Sequence, residues 1–256
     1  MYRISFAGAG RVASSLCMEF FGKGFTIGKI VSSTPSSGKE LADSCRAEWS
    51  DDLTFDNKTD IIIVAVPDSK LDDVLKSIRR SSNTVVVHTA GSYGQEVFPS
   101  EIIHRGVLYP LQTFTKGRKI NYSDLPFFIE ASDDLTRKIL ITLIETVGGK
   151  IYEADTERRK MLHLAAVFAC NFTNHMLTTG EDLAGKAGFE LSVLETLIRE
   201  TISKAFADGP GKSQTGPASR NDVNTMNKHL DLLSSAPELQ KVYKVISESI
   251  INKQTR

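Results

Sequence analysis

The sequence predicts an α/β protein: a doubly wound, mostly parallel Rossmann sheet over residues 1–153, followed by an all-α domain over residues 154–256. Three observations carry this expectation. Through the first half, short β-rich runs alternate with helical stretches, the pattern of parallel strands joined by crossover helices. The run Ile61-Ile62-Ile63-Val64-Ala65-Val66 is apolar on both faces, as a central strand covered by helices on both sides must be. Beyond Asp155 the strand signals vanish and helical periodicity remains.

The elements follow in order. A first strand at residues 2–7 runs into glycines and a helix at 11–21, then a second strand at 26–32 and a helix at 37–45. The apolar strand at 60–66 leads to a helix at 69–80, with Asp68 expected as its N-cap. Strands at 84–88 and 106–109 flank a short helix near 95–103. Strands at 125–130 and 150–153 flank a helix at 133–146. Four helices are expected in the second domain, at 156–187, 192–207, 221–232 and 237–252. The loop at 208–220 is too long for a mere connection.

Bulk properties narrow the function classes. Thirty-one basic residues balance 31 acidic ones, so the charge points to neither nucleic acid nor a membrane surface as partner. The N-terminus reads directly as a strand rather than a signal peptide, and no apolar run nears the ~20 residues that span a bilayer. Cys17, Cys45 and Cys170 show no CxxC or Cys/His spacing, so we expect reduced thiols, no metal site and a cytoplasmic protein. The sequons at Asn57, Asn121 and Asn171 are then coincidental.

Gly8-Ala9-Gly10-Arg11-Val12-Ala13 fits GxGxxA directly after an apolar strand. Gly8 permits the tight turn, Gly10 lets the backbone approach a pyrophosphate, and Ala13 keeps the helix close to the sheet. The helix N-terminus offers N–H groups and a positive dipole end to phosphates. A Rossmann-shaped domain without a ligand would carry similar glycines for packing alone. The second strand bears on which dinucleotide binds. No acid lies between Glu19 and Glu40 to grip a ribose 2′-hydroxyl, and the strand ends in Ser32-Ser33-Thr34 with Arg11 beside the turn. Hydroxyls plus a guanidinium suit the 2′-phosphate of NADP rather than NAD. The plainer reading is a solvated arginine and an ordinary turn.

Ala65, Val66 and Pro67 end a buried strand at the carboxyl edge, where open α/β folds bind ligands, and are expected to line a nicotinamide crevice with Thr89 and Gly91. His88 reads either as a donor to substrate or as a satisfied end-of-strand histidine. Gly211-Lys212-Ser213 imitates the end of a P-loop, but Phe206 stands where the upstream glycine belongs and no strand precedes it.

Together with Tyr109-Pro110-Leu111-Gln112-Thr113-Phe114 and Thr215-Gly216-Pro217-Ala218-Ser219-Arg220-Asn221-Asp222, these segments resemble a family of NADP oxidoreductases. Its members join a Rossmann-like domain to a helical domain of unknown function. Wider relatives are pyrroline-5-carboxylate reductase and the 6-phosphogluconate and β-hydroxyacid dehydrogenases. Transfer of a hydride between NADPH and a small carbonyl or imine is the leading reading. The resemblance implies the architecture and the NADP class of cofactor. It also implies a helical domain that closes over the nicotinamide and pairs two copies as a homodimer.

One departure matters. β-Hydroxyacid dehydrogenases carry a lysine one turn before an asparagine on the first long helix. Asn171 is the counterpart here, but Val167 replaces the lysine. His163 lies two turns before Asn171 and ~80° around an ideal α-helix from it, so both can face one cleft. His163 is the first candidate proton donor and His88 the second, against a structural or interface role for each. Tyr109 and Gln112 are candidate substrate contacts, against aromatic packing. Thr215 and Arg220 are candidates on a cleft-closing loop, against a simple helix cap at Asn221 or Asp222. The apolar face of Leu162, Ala165, Ala166, Ala169, Phe172 and Met176 suits close helix approach, within the domain or across a dimer two-fold. The rival to an enzyme is an NADP-binding sensor without turnover.

Overall fold

The sheet is built from the apolar runs, and its strand order sets where a ligand can sit. A computed structural model of the chain describes residues 1–254. Its eight strands are β1 (Arg3–Ala7), β2 (Thr26–Val31), β3 (Glu48–Ser50), β4 (Ile61–Val64), β5 (Val85–His88), β6 (Arg105–Pro110), β7 (Pro126–Ala131) and β8 (Lys150–Glu153). They lie in the order β3-β2-β1-β4-β5-β6-β7-β8. Every pairing is parallel except β6 with β7. The order reverses between β1 and β4, so the carboxyl ends of these strands open a crevice.

The helices of this part are α1 (Arg11–Gly22), α2 (Pro35–Ser44), α3 (Leu71–Ser77) and α4 (Asp134–Val147). Their apolar stripes cover the sheet: Leu16 and Phe20 from α1, Leu41 from α2, Leu71 and Leu75 from α3, Leu140 and Ile144 from α4, all buried. The β4 residues Ile61, Ile62, Ile63 and Val64 are buried on both faces, as the apolar run required.

Three sequence expectations are corrected here. The three-residue β3 was missed, because Glu48-Trp49-Ser50 is too short and mixed to carry a strand pattern. Asp68 caps nothing with its side chain; residues Asp68–Lys70 form a 3₁₀ turn before α3. The helix expected near residues 95–103 is one 3₁₀ turn, Gln95–Val97, ended ahead of Pro99.

After β8, α5 (Thr156–Ala166) starts at Asp155, whose side chain accepts from Arg158 N at 2.8 Å. It passes into a π-helical segment, Val167–Phe172, and then α6 (Thr173–Lys186). The single continuous helix expected over 156–187 is thus interrupted. The composition changes character at 153/154, whereas compact units divide at Thr173, the second beginning at Asn174.

The second unit is helical. Gly188, with φ of +81°, ends the helix begun by α6, and Phe189 N donates to Ala184 O at 2.9 Å. A 3₁₀ turn, Leu191–Leu194, precedes α7 (Glu195–Asp208). Asp222 caps α8 (Val223–Leu232) by accepting from Thr225 N at 3.1 Å. A hydrogen bond of 2.8 Å between His229 Nδ1 and Tyr243 Oη joins α8 to α9 (Pro237–Gln254). Among the described residues no helix is long and apolar enough to cross a membrane, and no cluster of His, Cys, Asp or Glu is arranged to hold a metal ion.

Candidate active site

The glycine turn is shaped by two separate demands. Gly8 has φ of +116°, and its N donates to Val31 O at 2.7 Å. A Cβ there would lie 2.2 Å from Ala65 O, so the turn presses against the end of β4. Gly10 is the N-cap of α1 with ordinary extended backbone, and a Cβ on it would meet nothing within 4 Å. No side chain caps the first N–H groups of α1, and Gly10 and Arg11 are exposed. Val12 is half-buried, and Ala13 is buried where the helix crosses the sheet. Open space before uncapped N–H groups is the cradle a pyrophosphate fits.

At the end of β2 the three hydroxyl residues differ. Ser32 is buried, and its Oγ donates to Thr34 O at 2.7 Å, so it shapes the turn rather than facing outward. That corrects its expected place beside Ser33 as a phosphate donor. Ser33 and Thr34 are exposed, and Thr34 is the N-cap of α2 without a side-chain cap bond. Arg11 has no ion-pair partner among the described residues.

Ala65, Val66 and Pro67 follow β4 at the carboxyl edge, grading from buried to exposed. Thr89 N donates to Val64 O at 3.1 Å, which ties the loop after β5 to this edge. Beneath that loop His88 is fully buried and stacked on Phe98 at 5.3 Å. Its Nε2 meets Gly94 O at 3.2 Å, and its Nδ1 accepts from Ala90 N at 3.2 Å. Burial drives its pKa down to about 4, so the ring is neutral, with Nε2–H donating to Gly94 O. Both ring nitrogens are committed to backbone, which corrects the reading of His88 as a substrate donor.

Tyr109 and His163 come together. Tyr109 stands near the end of β6, and His163 on α5; their Oη and Nδ1 share a hydrogen bond of 2.9 Å whose direction follows the imidazole tautomer. The rings meet edge to face at 5.9 Å. A Cβ on Gly91 would lie 2.7 Å from His163 Nδ1 and 3.0 Å from Tyr109 Cε2, so the absent side chain of Gly91 makes room for the pair. Burial, then the negative charge of Asp68, pushes the Tyr109 phenol above its ordinary value, and it stays protonated through the neutral range.

The other candidates are more dispersed. Gln112 is exposed, and its Oε1 accepts from Thr113 N at 2.8 Å. Asn171 lies exposed within the π-helical segment, so the ~80° separation from His163 drawn on an ideal helix does not hold. Thr215 and Arg220 belong to the second unit and are exposed. Thr215 borders a cavity of about 260 Å³ shared with Met176, Leu183 and Tyr243.

Sequence reasoning missed Arg159. It is the largest fully buried side chain, bonded through Nη1 to Glu130 Oε2 at 2.6 Å and through Nη2 to Tyr93 O at 2.6 Å. The available signal was its place one turn before His163, with Thr156 a turn earlier, on a helix with no apolar stripe there.

Comparisons with known proteins bear on the family and the fold. Residues 3–91 match the family described as NADP oxidoreductase coenzyme F420-dependent, and residues 125–250 match the domain of unknown function DUF2520. No curated protein matches the sequence. Among solved structures, a Bacteroides fragilis protein provisionally named an NADP oxidoreductase is 39% identical, with a TM-score of 0.91 and 98% of each chain covered. A Thermotoga maritima protein is 21% identical, with a TM-score of 0.71 and 98% of each chain covered. A reductive aminase from Aspergillus terreus is 11% identical, with a TM-score of 0.70, covering 99% of this chain and 94% of its own. The last two likenesses establish the fold alone. With a dinucleotide turn at its N-terminus and a close relative matching end to end, the chain belongs to the family of NADP oxidoreductases that join a Rossmann-like domain to this helical domain, and it is an oxidoreductase.

Proposed function

We propose that the chain is an NADPH-dependent reductase of a small carbonyl or imine, with His163 and Tyr109 as its proton-donating pair. The observation that carries this reading is the 2.9 Å hydrogen bond between them, seated against Gly91 at the carboxyl edge of the sheet. When bound, the cofactor supplies the hydride. The chain's own residues hold the substrate and deliver the proton. The raised phenol serves as an O–H donor rather than a base. With Nδ1 of His163 occupied by Tyr109, its Nε2 is left to exchange protons. A reductive aminase with this fold, solved with NADPH4, cyclohexanone and allyl amine, is consistent with the substrate class.

For the cofactor, Gly8, Gly10, Val12 and Ala13 would hold the pyrophosphate at the α1 N-terminus. Ser33, Thr34 and Arg11, with the α2 N-terminus, would take a 2′-phosphate. Ala65, Val66, Pro67, Thr89 and Gly91 would border the nicotinamide. Gln112, on the first domain, remains a substrate candidate, as do Thr215 and Arg220 on a second domain assigned to residues 154–256. Asn171, on that second domain, remains a catalytic candidate. We assign that domain to dimerisation as well, because α6, α7, α8 and α9 bury no residue of their own. Three free cysteines suit the cytoplasm.

The test is turnover of NADPH across a panel of small carbonyls and imines. Tyr109→Phe and His163→Gln should each lower kcat about 100-fold or more, leaving the KM for NADPH unchanged. Full turnover in both variants would refute the pairing. Titration with NADPH and NADH should favour NADPH, and equal affinity would remove the 2′-phosphate assignment.

A further inference from the structure

The helix that carries His163 is attached to the sheet in an unusual way. A helix ordinarily docks by an apolar stripe. Of the 11 residues in α5, Arg159 alone is buried. Thr156, Arg159 and His163 follow one another at spacings of three and four, so they share one face. That face makes polar contacts throughout. Thr156 Oγ1 donates to Glu130 Oε2 at 3.0 Å, and Arg159 Nη1 donates to the same oxygen at 2.6 Å and to Ala154 O at 3.4 Å. One turn on, His163 meets Tyr109.

The partners share one ribbon. Glu130 sits on β7 opposite Val107 of β6, and Tyr109 follows two residues along β6 opposite Phe128. A clamp on Glu130 therefore sets α5 in register with the strand that carries the phenol. The second arm of Arg159 reaches Tyr93 O at 2.6 Å, in the loop whose Gly91 packs against His163. The far end of that loop is held at Gly94 O by His88.

We propose that Arg159 and Glu130 are the positioning residues of the proton-donating pair, fixing α5 and the loop at 89–94 so that His163 meets Tyr109. This rests on the reading of His163 and Tyr109 given above. Stability alone explains the ion pair poorly. Arg159 is fully buried with its Nε unpartnered, and a well-packed apolar pair commonly stabilises a protein as much as a buried ion pair does. What the charged pair adds is direction: a planar guanidinium reaches a carboxylate and a carbonyl at once and admits one placement of the helix.

The experiment reads the ring of His163 by NMR, its resonances assigned by their absence in His163→Gln. Tyr109→Phe supplies the ring shift of the unpartnered imidazole. Glu130→Gln should move the His163 shift to that value, and kcat should fall about 100-fold with the KM for NADPH unchanged. Because removing one charge from a buried pair can unfold a protein, a Glu130→Leu and Arg159→Met double variant is measured beside it. It should melt near the wild-type temperature and lose the hydrogen-bonded His163 shift. A folded variant that keeps the wild-type shift overturns the proposal. If Tyr109→Phe and His163→Gln retain turnover, the catalytic reading fails instead, while the ring shift still decides the clamp.

Discussion

Gly8 and Gly10 stand two residues apart and answer to different demands. Gly8 is held by its positive φ and by Ala65 O, so Gly8→Ala should cost about 2 kcal/mol or more in stability, with or without ligand. Gly10 has neither constraint, and its missing Cβ faces open space. Gly10→Ala should therefore melt within a few degrees of wild type yet bind NADPH at least ~10-fold more weakly, a steric penalty of about 1.4 kcal/mol. Thermal denaturation and fluorescence titration separate the two, and wild-type affinity in Gly10→Ala would remove the pyrophosphate from this turn. Gly8 was legible because its positive φ leaves few substitutes for glycine, and Gly10 because of its spacing in the motif. Ser32 was not, since the direction of a hydroxyl depends on which carbonyl the turn brings within reach; here it is Thr34 O.

Strand β5 and the loop after it show how an element prepares a site that it does not enter. His88 ties that loop down from beneath, and its neutrality has a measurable signature. Its pKa lies near 4 in the folded protein, against 6.5 ordinarily, chiefly through burial. The unfolded chain then binds the extra proton first. Stability is complete above about pH 6.5 and falls as the pH drops toward 4, by about 3 kcal/mol at most. Urea denaturation across that range should show the loss, and His88→Gln should flatten it. An unchanged slope in the variant would mean that His88 is already charged in the fold. Sequence pattern located the strand but left the histidine open, because Gly94, six residues on, supplies its partner only after the loop turns back. The helix after β8 was legible in extent, but the turn at Val167–Phe172 was not. A π-helical segment repeats at a different angle from the α-helix, so the phase relating His163 to Asn171 had to be seen.

At the scale of the molecule, the two units differ in how they are held. The sheet unit has two apolar clusters of buried residues; among the described residues of the helical unit, only Ala218 and Leu233 are buried. Exposed apolar side chains there include Phe189, Val193, Leu197 and Phe206. Helices without a buried stripe lack the term that offsets chain entropy, and a second copy of the chain is the partner proposed to supply it. Light scattering on the purified protein should give twice the mass of the 28.2 kDa chain, and charge placed at Leu197 should shift it toward monomer. A stable, folded monomer at low micromolar concentration would end the dimer assignment.

Local chemistry was enough to read the alternation of strands and helices, the dinucleotide turn and the family from the chain. Each depends on residues close in sequence, where periodicity and steric limits act directly. The site itself was legible only as separate candidates. Tyr109 and His163 lie 54 positions apart, and Glu130 and Arg159 lie 29 apart. Their meeting depends on how β6, β7 and α5 pack, and a buried charge is stable only where a distant partner closes on it. Tertiary structure therefore decided which histidine is held against a phenol, which is walled in by backbone, and which arginine holds the helix between them.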